Sequence, residues 1–138
     1  MRVLDNLEEL ADLVSSQRAR LYVRFSDGPE HDIHEASIDY ESDLPLPGLS
    51  VNKLDPPEWW SRPLQDWLAR QVCQYLHLAE RSQSLRGWVL TGTMVGRGPD
   101  DEPLLADVEP FAWLGDLLLA EAQARYDEHF HRGRAQQG

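Results

Sequence analysis

The chain has 138 residues, with 24 acidic against 13 basic side chains and a formal net charge of -11. Nucleic-acid binders draw their affinity from neutralising phosphates, and docking on anionic bilayers uses the same cations, so this balance excludes both as general modes. Apolar content of 41% and charged content of 27% are those of a globular domain, so a single domain over 1–138 is expected rather than a disordered chain.

Asp5 and Glu8 have capping-box spacing, and Leu7, Leu10, Ala11 and Val14 follow at helical intervals, which predicts a helix to about Ser16. Arg20–Phe25 alternates, with Leu21, Val23 and Phe25 on one side and Tyr22 and Arg24 on the other, as in a strand. Ser26-Asp27-Gly28-Pro29 ends it with turn chemistry, and the acidic segment Glu30–Asp43 reads as a surface loop.

Leu44–Trp60 holds Pro45, Pro47, Pro56 and Pro57 yet also Leu44, Leu46, Leu49, Val51, Leu54, Trp59 and Trp60. Proline fixes φ and removes a donor, so the segment reads as neither helix nor central strand. Its apolar content points to a stiff connector that crosses a core or walls a pocket. The strongest element follows: Leu64, Leu68, Val72, Tyr75, Leu76 and Ala79 form one stripe of a helix over about 62–82, with Asp66, Arg70, Gln74 and Arg81 on its other side.

Gly87–Val95 reads as a central strand and Leu104–Val108 as its hairpin partner across a Gly/Pro loop of about eight residues. Pro110 then opens a last helix carrying Phe111, Leu114, Leu117, Leu118, Ala122, Tyr126 and Phe130, with Gly115 inside it and Gly133 as its cap. Arg134–Gly138 is expected to fray. The fold class is therefore α+β, a small, mostly antiparallel sheet packed with an N-terminal helix and two longer helices.

Three stretches carry a resemblance. They are Tyr22-Val23-Arg24-Phe25-Ser26 with Gly28-Pro29, Leu46-Pro47-Gly48-Leu49-Ser50-Val51-Asn52, and Val95-Gly96-Arg97-Gly98-Pro99-Asp100 with Glu102-Pro103-Leu104. Together they resemble a small bacterial family catalogued only as a domain of unknown function. The resemblance implies a bacterial origin and a small stand-alone protein, and it brings no catalytic role.

Arg24 on an early strand, Ser50 on a middle element and a late Glu102 form the one catalytic constellation considered. Their order is similar to that in one class of ADP-ribosyltransferases. There the arginine grips a phosphate of NAD, the serine supports the site, and the glutamate stabilises a ribosyl cation. Two departures weigh against it. Leu49-Ser50-Val51 replaces the usual Ser-Thr-Ser, and Asp100 stands two residues before Glu102 where Glu or Gln belongs. The candidate ligand-binding residues are Tyr22, Arg24, Asn52, Trp59, Trp60 and Arg97.

Gly96–Glu102 lacks the Lys-Ser/Thr pair of a P-loop and the spacing of an EF-hand, so it reads as a turn. His31 and His34, His77, and His129 with His131 match no metal-ligand spacing, and no metal or cofactor is expected. Cys73 is the only cysteine, which excludes an intrachain disulfide and reads as a small hydrophobe. No leader pattern stands in Met1–Val14, and the longest apolar run, Leu117–Ala120, cannot span a bilayer, so a cytoplasmic location is expected. With no complete catalytic motif, the sequence reads as a non-catalytic module for a small molecule or a protein partner. Trp59, Trp60 and Trp67 read first as core, with a homodimer patch or a ligand wall beside the connector as the alternatives.

Overall fold

Strands rich in β-branched and aromatic residues pair through their backbones and pack side chains on both faces. The computed structural model describes residues 1–34, 37–39, 41–81 and 85–130. Its elements in chain order are β1 (Arg2–Leu4), α1 (Leu7–Ser16), β2 (Tyr22–Ser26), α2 (Pro29–His34), β3 (Leu49–Ser50), β4 (Asn52–Lys53), α3 (Leu64–Arg81), β5 (Arg86–Arg97), β6 (Pro103–Leu114) and α4 (Asp116–His129). The α+β class holds. The sheet, however, is six-stranded and mixed rather than small and mostly antiparallel, with the order β1-β6-β5-β2-β4 and β3 paired to β6. β1 runs parallel to β6, with Arg2 opposite Ala112 and Leu4 opposite Leu114.

The connector closes this sheet. Leu49 and Ser50 pair with Leu105 and Leu104 of β6, and two residues later Asn52 and Lys53 pair with Val23 and Tyr22 of β2. One short segment thus stitches two strands that both flank β5, and the sheet curls into a partly closed barrel. Its interior holds Tyr22, Leu49, Val51, Trp88, Leu90 and Leu105. The connector, expected to be neither helix nor central strand, supplies two two-residue strands at the margins of the sheet: Pro45, Pro47, Pro56 and Pro57 flank the paired stretch, and residues 49–53 keep their donors. Bulges between Val89/Leu90, Thr91/Thr93 and Met94/Gly96 bend the β5–β6 hairpin, as a curling sheet requires.

The outer face of the sheet carries the larger core. Val23, Phe25, Val89, Ala112 and Leu114 meet Leu7 and Leu10 of α1, Leu68 and Val72 of α3, and Leu118 and Ala122 of α4. The α1 cap lies one residue later than expected: the Asn6 side chain accepts from the Glu9 N–H at 2.9 Å, while Glu9 Oε1 accepts from the Asp5 N–H at 2.8 Å.

The expected helix from Pro110 is also corrected. Phe111–Leu114 continue β6, because β5 pairs with one edge of that strand and β1 with the other. Pro110 is tolerated because it sits beside a bulge. Gly115 is the N-cap of α4, not an interior residue, and its N–H donates to Leu4 O at 2.9 Å. The segment expected to be a loop from Glu30 begins with α2, and Ile38 bridges Pro45. The Gly133 cap, the tail 134–138, His131 and the side chains of His34, Tyr75, His77, Ala79 and Arg81 lie outside the described residues.

Gly48 admits the connector to β6. A Cβ there would stand 2.9 Å from Leu105 O and 2.9 Å from Val95 Cγ2. Gly48→Ala is expected to lower stability by about 1–3 kcal/mol, read as a lower urea midpoint with an unchanged slope. An unchanged midpoint would mean that the stitch tolerates separation.

Candidate functional site

Two buried carboxylates organise the polar chemistry of the molecule. The first is Asp32, whose side chain is 3% exposed. Its Oδ2 accepts from Arg24 Nε at 2.7 Å and from Ser26 Oγ at 2.5 Å. Ser26 Oγ in turn accepts from the Trp88 indole N–H at 2.9 Å and from the Gly28 N–H at 3.1 Å. His31 Nδ1 lies 3.2 Å from Asp32 Oδ1. The remaining arm of Arg24 donates from Nη1 to the Ser50 carbonyl at 2.6 Å. The Ser-Asp-Gly-Pro turn creates this network, since it folds α2 back so that Asp32 reaches β2. Burial pushes the Asp32 carboxyl up, but hydrogen bonds from Arg24, Ser26 and His31 and the Arg24 charge outweigh it and hold it below its ordinary value.

Of the predicted catalytic residues, Arg24 and Ser50 come together, but through a carbonyl rather than the serine hydroxyl. Glu102 sits in the β5–β6 turn, folded against Gly98, and its buried Oε1 has no hydrogen-bond partner among the described residues. Arg97 turns back on the same loop, with Nη1 donating to Asp101 O at 2.9 Å. Tyr22 is buried in the barrel interior, and Asn52 lies on β4 opposite Val23. The structure does not gather the six predicted ligand residues into one cleft: Trp59 and Trp60 lie apart, against α3 and the end of α4.

The second carboxylate is Asp66 on α3, also 3% exposed. Its Oδ1 accepts from Arg125 Nε of α4 at 2.6 Å and its Oδ2 from Arg62 Nη2 at 2.9 Å. Arg62 also donates to His129 O at 2.9 Å, tying the end of α4 to the start of α3. Its guanidinium covers the Phe130 ring at 4.4 Å and the Trp60 ring at 5.7 Å. An aromatic row runs along this junction. Tyr126 stacks on Phe130 at 5.0 Å, Phe130 on Trp60 at 6.3 Å, and Trp60 meets Trp67 edge-on at 5.2 Å and Trp59 at 6.2 Å. Trp59 ends the row 73% exposed.

Beside this row, α3 and α4 flank a half-open cavity of about 280 Å³ whose described lining is Arg70, Cys73, Gln74, Gln123 and Tyr126. Two of its walls belong to the aromatic row: Tyr126 directly, and Arg70 because its guanidinium lies over Trp67 at 5.4 Å. The sequence placed Asp66, Arg70, Gln74 and Arg81 on the side of the helix away from its apolar stripe. That reading missed Asp66 because helical periodicity reports a polar stripe without showing that a second helix will cover it. The signal present was Arg62, Asp66, Arg70 and Gln74 at intervals of four, one unbroken polar line beside three tryptophans.

A family model described as a family of unknown function, DUF6098, matches residues 1–137. The chain belongs to that family. Membership in DUF6098 agrees with the resemblance carried by the three sequence stretches and assigns no activity. No curated protein and no solved structure matches the chain. Among the described residues of this DUF6098 member, no group of three His, Cys, Asp or Glu side chains could hold a metal ion, and no helix is long and apolar enough to cross a membrane.

Asp66 has the same electrostatic character as Asp32. Burial raises its pKa, and hydrogen bonds and charge from Arg125 and Arg62 lower it further than burial lifts it. A carboxyl depressed below its ordinary value stabilises the fold fully at pH above that ordinary value. That contribution is lost as pH falls through the lower, folded value. Stability of the wild type should therefore drop as pH decreases below about 4. Asp66→Ala should cost about 3 kcal/mol at neutral pH and flatten the acid limb, read by urea unfolding from neutral pH to pH 3. An acid limb of unchanged steepness in Asp66→Ala would rule out this role for Asp66.

Proposed function

We propose that the protein is a non-catalytic binding module whose recognition face is the aromatic row and cavity between α3 and α4. The single observation that carries this reading is the continuity of Trp59, exposed at one end, through Trp60, Phe130 and Tyr126 to a polar-lined cavity. Exposed tryptophan is costly to solvate and is enriched where proteins recognise ligands and partners. Ligand sites combine apolar and aromatic walls with a few placed polar groups, and this cavity has an arginine, two amides and a phenol.

The transferase reading receives less support. An arginine that grips an NAD phosphate needs its forked donors available. Here Arg24 spends Nε on Asp32 and Nη1 on a backbone carbonyl. Its neighbour Ser50 is engaged through the main chain, and among the described residues no hydrogen bond or ion pair joins Arg24 or Ser50 to Glu102.

Backbone amide NMR with a panel of small molecules and nucleotides tests the reading. Saturable shifts should cluster on 64–74 and 116–130, and NAD should be returned intact. Release of nicotinamide from NAD that disappears in Glu102→Gln would replace the module reading with the enzymatic one.

Trp59→Ala should change unfolding free energy by less than about 0.5 kcal/mol, because the ring is mostly in water. The same variant should weaken binding at the α3–α4 face. Concentration-dependent dimerisation that is lost in Trp59→Ala would instead assign the face to a second copy of the chain.

A further inference from the structure

Among the nine arginines whose side chains are described, six are matched to carboxylates. Arg2 pairs with Glu9, Arg20 with Asp55, Arg24 with Asp32, Arg62 and Arg125 with Asp66, and Arg97 with Asp101. Among the described side chains Arg18, Arg70 and Arg86 have no such pair. Arg18 is exposed in the turn after α1, and Arg86 is exposed over the Trp113 ring at 3.9 Å. Arg70 differs from both. It is half-buried, its guanidinium is pressed over Trp67, and it lines the cavity between α3 and α4.

Removing part of a guanidinium's hydration costs free energy that an opposing charge normally offsets. In a chain with 24 acidic residues, a carboxylate could have been placed beside almost any arginine. At Arg70 the described neighbours in the cavity are neutral: Gln74, Gln123, Cys73 and Tyr126. Gln123 is held in place by its Nε2 donating to Asp127 Oδ1 at 2.9 Å. Among the described lining residues, one positive charge thus faces groups that hydrogen-bond without carrying a charge themselves.

Resting on the binding-module reading, we infer that this cavity takes a small organic oxyanion, a carboxylate or a phosphate monoester, with Arg70 as its charge partner. The planar fork of Arg70 suits two oxygens of one head group, and the side-chain amide of Gln74 offers a further donor to it. The body of the ligand lies along Tyr126, whose ring is already fixed by stacking on Phe130. The space is about 280 Å³ and partly open to solvent. That size accommodates a single-ring acid.

The experiment uses the full chain with benzoate, phenyl phosphate and inorganic phosphate, set against the neutral benzamide and the cationic benzylamine. Three readouts are taken: thermal melting, tryptophan fluorescence (Trp67 lies under Arg70), and the rate of iodoacetamide alkylation of Cys73, which shares the cavity. Benzoate or phenyl phosphate should raise Tm saturably and slow alkylation of Cys73, and the stronger of the two identifies the head group. Arg70→Met should weaken that anion about tenfold or more, and Arg70→Lys by less, since the charge stays while the fork is lost. Arg70→Gln, with folding checked by circular dichroism, serves if the methionine variant is unstable.

Benzamide or benzylamine binding as well as the anions overturns the ligand class and leaves the module reading in place. Equal affinity for the anion in wild type and Arg70→Gln overturns the role of Arg70. No response to any anion at millimolar concentration overturns the inference altogether, while clustered shifts from other molecules would still uphold the module.

Discussion

The rest of the molecule depends on the pairing of five connector residues with two different strands. Leu49–Lys53 is hydrogen-bonded to β6 at one end and to β2 at the other, and β5 lies between those strands. This closes the sheet around Trp88, Leu90 and Val51, which are removed from water almost completely. An open sheet would leave that face wet and the backbone edges of β2 and β6 unpaired. The prolines on either side stiffen the approach to the stitch, which reduces the entropy lost when the connector is fixed. The Ser50 carbonyl is held where Arg24 can reach it only because this pairing exists.

Two carboxylates then lock the layers laterally, and they do so by the same physics. Asp32 fastens α2 to β2 and the barrel, and Asp66 fastens α3 to α4. Each is buried, and each is compensated by guanidinium donors, Asp32 with a serine hydroxyl added. Such pairs contribute less than their Coulomb attraction suggests, because both ions lose hydration, yet breaking one leaves an uncompensated buried charge. They therefore define geometry strongly: the distance and angle between α3 and α4, and with them the shape of the cavity, follow from where Asp66 holds Arg125.

The use of arginine separates structural from functional chemistry. Arg24 is engaged on two sides by the fold itself, so its charge is neutralised before any ligand arrives. Arg70 keeps its charge turned toward a cavity whose other described walls are neutral. The aromatic row does related work on the apolar side. Its inner members, Trp60 and Trp67, pack on the core, whereas Trp59 adds apolar surface at the rim that folding does not need to bury. A rigid floor with an exposed aromatic edge is an arrangement in which binding costs little ordering of the protein.

Much of the local structure was legible in the sequence. Leu7, Leu10 and Val14 mark α1 by their spacing, Leu64, Leu68 and Val72 mark α3, and the alternation of Tyr22–Phe25 marks β2. The α+β class and the apolar connector followed from the same patterns, because periodicity records which side of an element meets a core. Other features depended on partners distant in the chain. Arg2–Leu4 is too short to signal a strand and becomes one because β6 offers it an edge. Phe111–Leu114 has spacing that fits a helix, and pairing on both edges makes it extended. Whether Asp66 and Arg70 were solvated or enclosed was not written in α3, since it depends on α4 being brought across them. The sequence by itself determined the elements, the acidic surface and the absence of a complete catalytic motif. Closure of the barrel, occupation of Arg24 and the charge facing the α3–α4 cavity were decided by tertiary structure, because each joins residues that no local pattern connects.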